Sequence, residues 1–273
     1  MDNAGKKKRG VYITAMKNGA ISWRSLITWK GKRISLGSYK DEESAALAYK
    51  EASYILSDST VSLDDNIETT ALPFLKCVTL INYRDMGIYL SNPIYLKNKF
   101  FLYYLDESTV LKFDIDDLFY YSSHRIMKRG SHLFVADYGS QINILNRYGI
   151  RSYAVAGRDY RFVNGDPTDL RYENIEIINR YHGVRQITER GFARYKAVIH
   201  VNGNYLIGVY DTEEEAAIAY NKASDILVKN GFTKNFMQNY LEDVSPSHYA
   251  EVYTSVKVSK KLYGVTSPGK GRS

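Results

Sequence analysis

The chain has 273 residues, 44% of them hydrophobic and 25% charged, with a formal net charge of +7, which allows two or three small domains with their own cores. No apolar run nears the roughly 18 residues of a membrane helix, and MDNAGKKKRG lacks the apolar stretch of a secretory signal, so a cytoplasmic or, in a prokaryote, nucleoid-associated location without membrane partners is expected. The single cysteine, Cys77, excludes an internal disulfide and reads as a small buried hydrophobe in a reducing compartment.

The first nine residues end in Lys6-Lys7-Lys8-Arg9, a basic arm. Three strand-like runs follow, GVYIT (10–14), WRSLITW (23–29) and KRISLG (32–37), with Asn18-Gly19 and Lys30-Gly31-Lys32 as turns. Asp41 caps a helix whose first turn holds Glu42 and Glu43, where carboxylates favour the positive end of the helix dipole. Ala45, Ala48, Tyr49, Ala52, Ile55 and Leu56 form one apolar stripe, small enough to lie close to a sheet. That stripe decides the parity of the strands. Val11, Ile13, Trp23, Ser25, Ile27, Ile34 and Leu36 turn inward. Tyr12, Thr14, Arg24, Leu26, Thr28, Arg33 and Ser35 must then face away.

The pattern returns near the other end. Lys30 to Leu56 matches Asn202 to Leu227, with Tyr39 and Tyr210, Tyr49 and Tyr220, and Leu56 and Leu227 each 171 residues apart. So wide a spacing is not a solenoid; it is one module used twice. Asp211 and Glu214 stand at capping-box spacing ahead of the second helix. The outward set of the second copy is read as Arg185, Ile187, Lys196, Val198, His200 and Tyr205. Charge follows the modules. Residues 1–40 hold 10 Lys/Arg against 1 Asp/Glu and 182–210 hold 4 against 1, while the helices 41–56 and 211–227 hold 1 against 4 and 1 against 5. A positive sheet on a negative helix is the asymmetry expected of a protein that lays its sheet on a polyanion.

Between the copies, residues 57–75 are polar with a proline and read as a linker. Residues 76–181 are strand-rich and aromatic (LINY, FFLYYL, VLKFDI, LFYY, HLFVADY), with tyrosines used for packing. Residues 230–243 read as a short closing segment and 244–273 as a basic, loosely attached tail.

Arg9-Gly10-Val11, the Trp23–Thr28 strand, Leu36-Gly37-Ser38-Tyr39 and the acidic turn before Ala-Ala-x-Ala-Tyr resemble the ethylene-response-factor (APETALA-type) DNA-binding domain. His182-Gly183-Val184-Arg185, Gly208-Val209-Tyr210 and Glu214 to Tyr220 resemble it again, so the likeness covers residues 1–56 and 182–243. It implies an α+β fold, a three-stranded antiparallel sheet on one helix, with the sheet in the major groove of double-stranded DNA. Carried over by position, Arg9, Tyr12, Thr14, Leu26, Thr28, Arg33 and Ser35 fall at DNA contacts. In the second copy His182, Arg185, Ile187, Val198 and His200 do. Arg24 and Lys196 join Arg33 and Arg185 as cations for bases or nearby phosphates, and Lys7, Lys8 and Arg9 of the arm add phosphate contacts. Plant members carry arginine where this chain has Tyr12, Thr14 and Thr28, and glutamate where it has Leu26 and Val198. A different target follows, with apolar contacts to thymine methyls.

Tyr160 to Asn179, YRFVNGDPTDLRYENIEIIN, resembles the C-terminal part of an HNH homing-endonuclease motif through Gly165-Asp166, Asp169, Arg171, Glu173-Asn174 and Ile175. The metal-binding aspartate and general-base histidine implied by that resemblance are here Arg161 and Phe162. Arginine repels a divalent cation, and phenylalanine neither accepts a proton nor polarises water. Asn174 then reads as a residue pinning the loop. The expectation is a regulator-like protein with two DNA-reading heads around a degenerate HNH-like centre (76–181), needing no metal, cofactor or small-molecule substrate. The alternative is a metal-dependent homing-type endonuclease of a mobile element or phage, with Asp159, Asn164, Asp166, His124 or His132 as replacement groups. A third reading is an architectural or protein-interaction module whose basic faces bind nothing specific. Nothing in the sequence specifies an oligomeric state.

Overall fold

The structure is a computed structural model and describes residues 8–15, 19–65 and 67–267. It divides into two α+β units, Met1–Ile144 with Asp166–Asn174, and Leu145–Gly165 with Ile175–Ser273. No helix among the described residues is long and apolar enough to cross a membrane.

In the first unit, β1 (Val11–Ala15), β2 (Ile21–Trp29) and β3 (Lys32–Tyr39) pair antiparallel in chain order. Tyr12 lies opposite Arg24 and Thr28 opposite Arg33, and a bulge falls between Ser25 and Leu26. The expected Asp41 cap forms, its carboxylate accepting from the Ser44 N–H at 2.7 Å at the start of α1 (Glu42–Ser57). Ala48, Ala52, Ile55 and Leu56 of α1 are buried in one core with Ile27, Ile34 and Leu36 of the sheet. Each fully buried aliphatic side chain there contributes about 1.5–3 kcal/mol. The parity expectation holds for β2 and β3 but fails at the β1–β2 tip. There Ile13, which shares parity with buried Val11, stays 63% exposed.

Residues 57–75, read as a linker, are instead fastened to the module. The Glu51 carboxylate of α1 accepts from the N–H groups of Thr70 (2.7 Å), Ala71 (3.1 Å) and Leu72 (2.7 Å). The Tyr39 hydroxyl donates to the Ala71 carbonyl at 3.3 Å, and Leu72 is buried. Polar composition marks such a stretch as loop; it does not say whether the backbone finds partners. Next comes α2 (Phe74–Met86), which contains the LINY run expected as a strand. Its Cys77, Leu80 and Ile81 point into the core of the first module at helical spacing, and its Arg84 guanidinium donates to the carbonyls of Ile55, Asp58 and Val61. Cys77 is buried as expected, and desolvation pushes its thiol up to about 11, so it is inert.

The remaining aromatic stretch builds two further three-stranded antiparallel sheets. They are β4 (Ile94–Leu96), β5 (Phe100–Tyr104) and β6 (Val110–Asp114), then β7 (Ile126–Arg129), β8 (His132–Asp137) and β9 (Ser140–Asn143). Between them lies α3 (Leu118–Ser123), so the LFYY run is helical rather than extended. Its Tyr121 packs against Phe113 at 4.4 Å between ring centroids, and Tyr103 and Tyr121 are buried, so these tyrosines serve packing. In the loop 166–174, Asn174 donates its side-chain amide to the carbonyls of Asp166 and Asp169, the pinning role expected for it. Asp169 is gripped by both arms of the Arg171 guanidinium, at 2.9 and 2.7 Å.

The second unit contains the short antiparallel pair β10 (Tyr160–Phe162) and β11 (Ile175–Ile177). It then repeats the N-terminal arrangement with β12 (Val184–Glu189), β13 (Phe192–His200), β14 (Asn204–Tyr210) and α4 (Glu213–Lys229). Ala216, Ala219, Tyr220, Ala223 and Leu227 of α4 share a core with Val184, Ala197, Ile199 and Ile207. Thr212, not Asp211, caps this helix, its hydroxyl accepting from the Glu215 N–H at 3.1 Å. Asp211 pairs with Arg194 at 3.1 Å instead. The tail expected to be loose is ordered by contacts. α5 (Pro246–Ser255) and a 3-10 turn at Lys260–Gly264 pack on the same core, with Leu262 wholly buried.

Candidate nucleic-acid interface

Strand alternation gives each repeated sheet a second face, over which no helix lies among the described residues. On the first face, Arg24, Thr28, Arg33 and Ser35 are exposed, Tyr12 is 43% exposed, and Thr14 and Leu26 are half-buried. The Arg33 guanidinium lies 5.4 Å from the centre of the Tyr12 ring, although Tyr12 is on β1 and Arg33 on β3. The two side chains reach toward each other across the middle strand, in the row where Leu26 stands opposite Ser35. A cation over an aromatic face gains about 0.5–1 kcal/mol when exposed. Arg33 is thereby pre-positioned. Lys8 and Arg9 precede β1, with the Arg9 guanidinium 6.0 Å from the ring centre of Tyr49 on α1. Lys7 lies outside the described residues.

On the second face, Arg185, Lys196 and His200 are exposed, and Ile187 and Val198 half-buried. Tyr205 is not on this face. It pairs with Ile199 and packs against the core, while Leu206, opposite Val198, takes the outward position at 50% exposure. The shift of 171 residues that relates the two copies carries Ser35 to Leu206 and Ile34 to Tyr205, so the signal that corrects the assignment was in the sequence. His182 is half-buried rather than presented. Its ring stands edge-on to Tyr153 at 4.6 Å and to Tyr220 at 5.3 Å, as Arg9 stands against Tyr49.

Four cations on these faces, Arg24, Arg33, Arg185 and Lys196, stand without a carboxylate partner among the described residues. Arg84, Arg158, Arg161, Arg171 and Arg180 do pair with carboxylates, and so does Arg194, which stands on the second face opposite Ile187. Arg185 and Lys196 are moreover directly opposite one another across β12 and β13. Like charges so placed destabilise a sheet, and an anion set over them removes the cost.

Burial first, then the positive charges of Lys234 and Arg158, hold the His182 imidazole below its ordinary value, against an opposing pull from Asp159. Its unfolded form therefore binds a proton more readily than its folded form, so stability is present above the unfolded pKa and is lost as pH falls from about 6.5 toward the folded value. Acidifying from pH 7.5 to 5.5 should lower the melting temperature of the second unit. In His182→Asn that pH dependence should shrink, which paired thermal melts would measure.

In residues 160–179, Arg161 pairs with Glu176 at 2.7 Å, and Phe162 packs edge-on to Tyr160. Three of the groups considered as replacements are also engaged, and His132 is exposed on β8. Asp159 accepts from the Val155 N–H and from Arg158, Asp166 accepts from the Thr168 N–H and hydroxyl, and His124 stacks on Tyr120. Among the described residues no group of three or more His, Cys, Asp or Glu side chains is placed to hold a metal ion.

No model of a known protein family matches this chain, and neither does any curated protein or solved structure.

Proposed function

We propose that the chain is a sequence-specific double-stranded DNA-binding protein with two β-sheet heads around a centre that does no nuclease chemistry. Each head lays the uncovered face of its sheet, β1–β3 or β12–β14, in the major groove, and the protein acts as a regulator at the sites it marks. One observation carries this reading: Arg24, Arg33, Arg185 and Lys196 stand on those two faces without carboxylate partners among the described residues, whereas Arg84, Arg161, Arg171 and Arg180 are paired within the fold. Size agrees. Three strands at about 4.8 Å spacing make a ribbon about 10 Å across, and the major groove is about 12 Å wide. Arg24, Arg33 and Arg185 suit the two acceptors of guanine, and Leu26, Val198 and Leu206 suit thymine methyl groups. Two linked heads add through effective concentration, so modest contacts in each give useful affinity.

A gel-shift comparison tests the reading. Losing two bidentate base contacts of about 1–3 kcal/mol each should weaken binding of Arg24→Ala/Arg185→Ala between about 30-fold and 10⁴-fold. Selection from a random duplex pool should return two spaced half-sites. Parental affinity in the double variant would remove the proposed surface. Nicking of plasmid by the chain with a divalent ion, dependent on Asp166, would replace the regulator by a nuclease.

A further inference from the structure

We infer that residues 153–159 form a wall along the β12 side of the second face and seat a backbone phosphate of the bound duplex against Arg158. The inference rests on the reading of that face as a DNA surface. A cleft of about 380 Å³ opens there, lined by Tyr153, Arg158, His182, Arg185, Lys196 and His200 among others. Four of these six side chains are exposed, and the two held in the protein are Tyr153 and His182, packed on one another.

The wall is tied to the sheet by a single amide. Asn179 donates its Nδ2 to the Arg158 carbonyl at 2.6 Å and accepts, on Oδ1, the Gln186 N–H of edge strand β12 at 2.7 Å. The Asp159 carbonyl takes the N–H groups of Ile178 and Asn179 at 2.8 and 2.9 Å. Arg158 is aimed by Asp159, whose carboxylate accepts from Nε at 3.0 Å and from Nη2 at 2.5 Å. Burial alone would raise that carboxyl, but the Arg158 hydrogen bonds and the Val155 N–H hold it below its ordinary value, so it stays ionised and keeps the guanidinium in place. Nη1 is left for a ligand.

Why a phosphate, and why here? A sheet lying in the major groove meets bases along its middle and a sugar-phosphate strand along each edge. β12 is an edge strand, and the wall stands beside it. Arg185 and Lys196, opposite each other without a carboxylate between them, supply two positive charges to the same cleft. One phosphodiester carries the single negative charge that such a site attracts, and backbone contacts of this kind fix register without reading sequence.

The full chain, bound to its selected duplex, tests this through salt dependence. Arg158→Gln should weaken binding about 5- to 10-fold, equally for selected and unrelated duplexes, and reduce the slope of log affinity against log salt by about 0.9. Arg158→Lys keeps the charge but not the fork onto Asp159, and should keep the parental slope. Affinities are compared below the melting transition of each variant. Should Arg158→Gln have no folded form, Arg158→Gln/Asp159→Asn, which removes the cation without stranding a carboxylate, decides by the same criteria, a reduced slope supporting the wall and a parental slope overturning it. Unchanged affinity and slope in Arg158→Gln, with Arg24→Ala/Arg185→Ala still defective, would sink the wall and leave the DNA-binding surface standing. A loss confined to some sequences would make Arg158 a base contact. Saturable binding of inorganic phosphate to the free chain, abolished in Arg158→Gln, would make the cleft a small-anion site. If the double variant also binds as the parent does, the reading beneath the inference falls with it.

Discussion

Replacing Gly10 or Gly183 with alanine is expected to unfold the head that contains it. Both glycines have φ of +75°, where an L-residue crowds its own backbone at a cost of about 1–2 kcal/mol. Space is the larger problem. A Cβ on Gly10 would lie 2.2 Å from Cδ2 of Tyr49 and 2.5 Å from the Leu26 carbonyl oxygen; on Gly183 it would lie 2.4 Å from Cε2 of Tyr220 and 2.6 Å from the Val198 oxygen. The backbone cannot retreat, because the Leu26 N–H donates to the Gly10 carbonyl and the Val198 N–H to the Gly183 carbonyl, each at 2.8 Å. Nor can the tyrosine, which comes from the helix that closes the core. Overpacking adds about 1–3 kcal/mol, so each substitution should cost about 2–5 kcal/mol, a large part of the stability of so small a unit. Gly31→Ala is the control: its φ is +78°, but nothing lies within 4 Å of its Cβ, so it should lose only the backbone share. Thermal melts compare the three, and Gly10→Ala melting together with Gly31→Ala would refute the close approach. Loss of one head should also leave a single half-site in a duplex selection.

The two modules were largely legible because their signals are local. Alternation gave the strands and their faces, alanines at three- and four-residue spacing gave α1 and α4, and Asp41 gave the first cap. Sequence reading failed where partners come from far along the chain. LINY and LFYY have strand-like composition, yet Leu80, Ile81 and Tyr121 are buried on helices held between other elements, and burial outweighs intrinsic preference. Residues 69–72 read as a linker because nothing local shows that Glu51 will take their N–H groups. Thr212, not Asp211, caps α4, and the 171-residue shift that carries Asp41 to Thr212 already marked it. The candidate site divides in the same way. Which residues face outward followed from parity, apart from Tyr205 and from Ile13 at the β1–β2 tip. Which cations lack a carboxylate partner did not, because pairing depends on tertiary neighbours. The wall at 153–159 had no signal of its own, since it is set in place by Asn179.

Ending the chain after Asp243 should unfold the second head while leaving the first intact. Residues 244–265 look dispensable in composition, yet they close the core that α4 and the β12–β14 sheet leave open. Leu262 is wholly buried, and Val244, Tyr249 and Val252 pack around the same cluster. Polar groups of the head also depend on the segment. The Tyr210 hydroxyl donates to the Lys257 carbonyl at 2.8 Å, the Ile207 carbonyl on β14 accepts from the Ser259 N–H at 2.9 Å, and the Lys222 ammonium donates to the Val256 carbonyl at 2.8 Å. Tyr253 donates to Asp225 at 2.7 Å, and burial first, with that carboxylate second, pushes its phenol up to about 12. The Asn230 side-chain amide donates to the carbonyls of Leu262 at 3.1 Å and Val265 at 3.0 Å. Leu262→Ala should cost about 2–5 kcal/mol through its cavity, and removing the whole segment strips further apolar cover and leaves these buried partners unmet. Hydrogen exchange should therefore show the β14 and α4 amides losing protection in the truncated chain, with Leu262→Ala intermediate and β1–β3 unchanged. A chain ending after residue 267 keeps every contact named here and should melt as the parent does. Full protection of α4 after truncation at Asp243 would mean that the segment only decorates a head already complete. The reverse outcome would make the C-terminal strap a determinant of DNA binding through the stability of the face that it supports from behind.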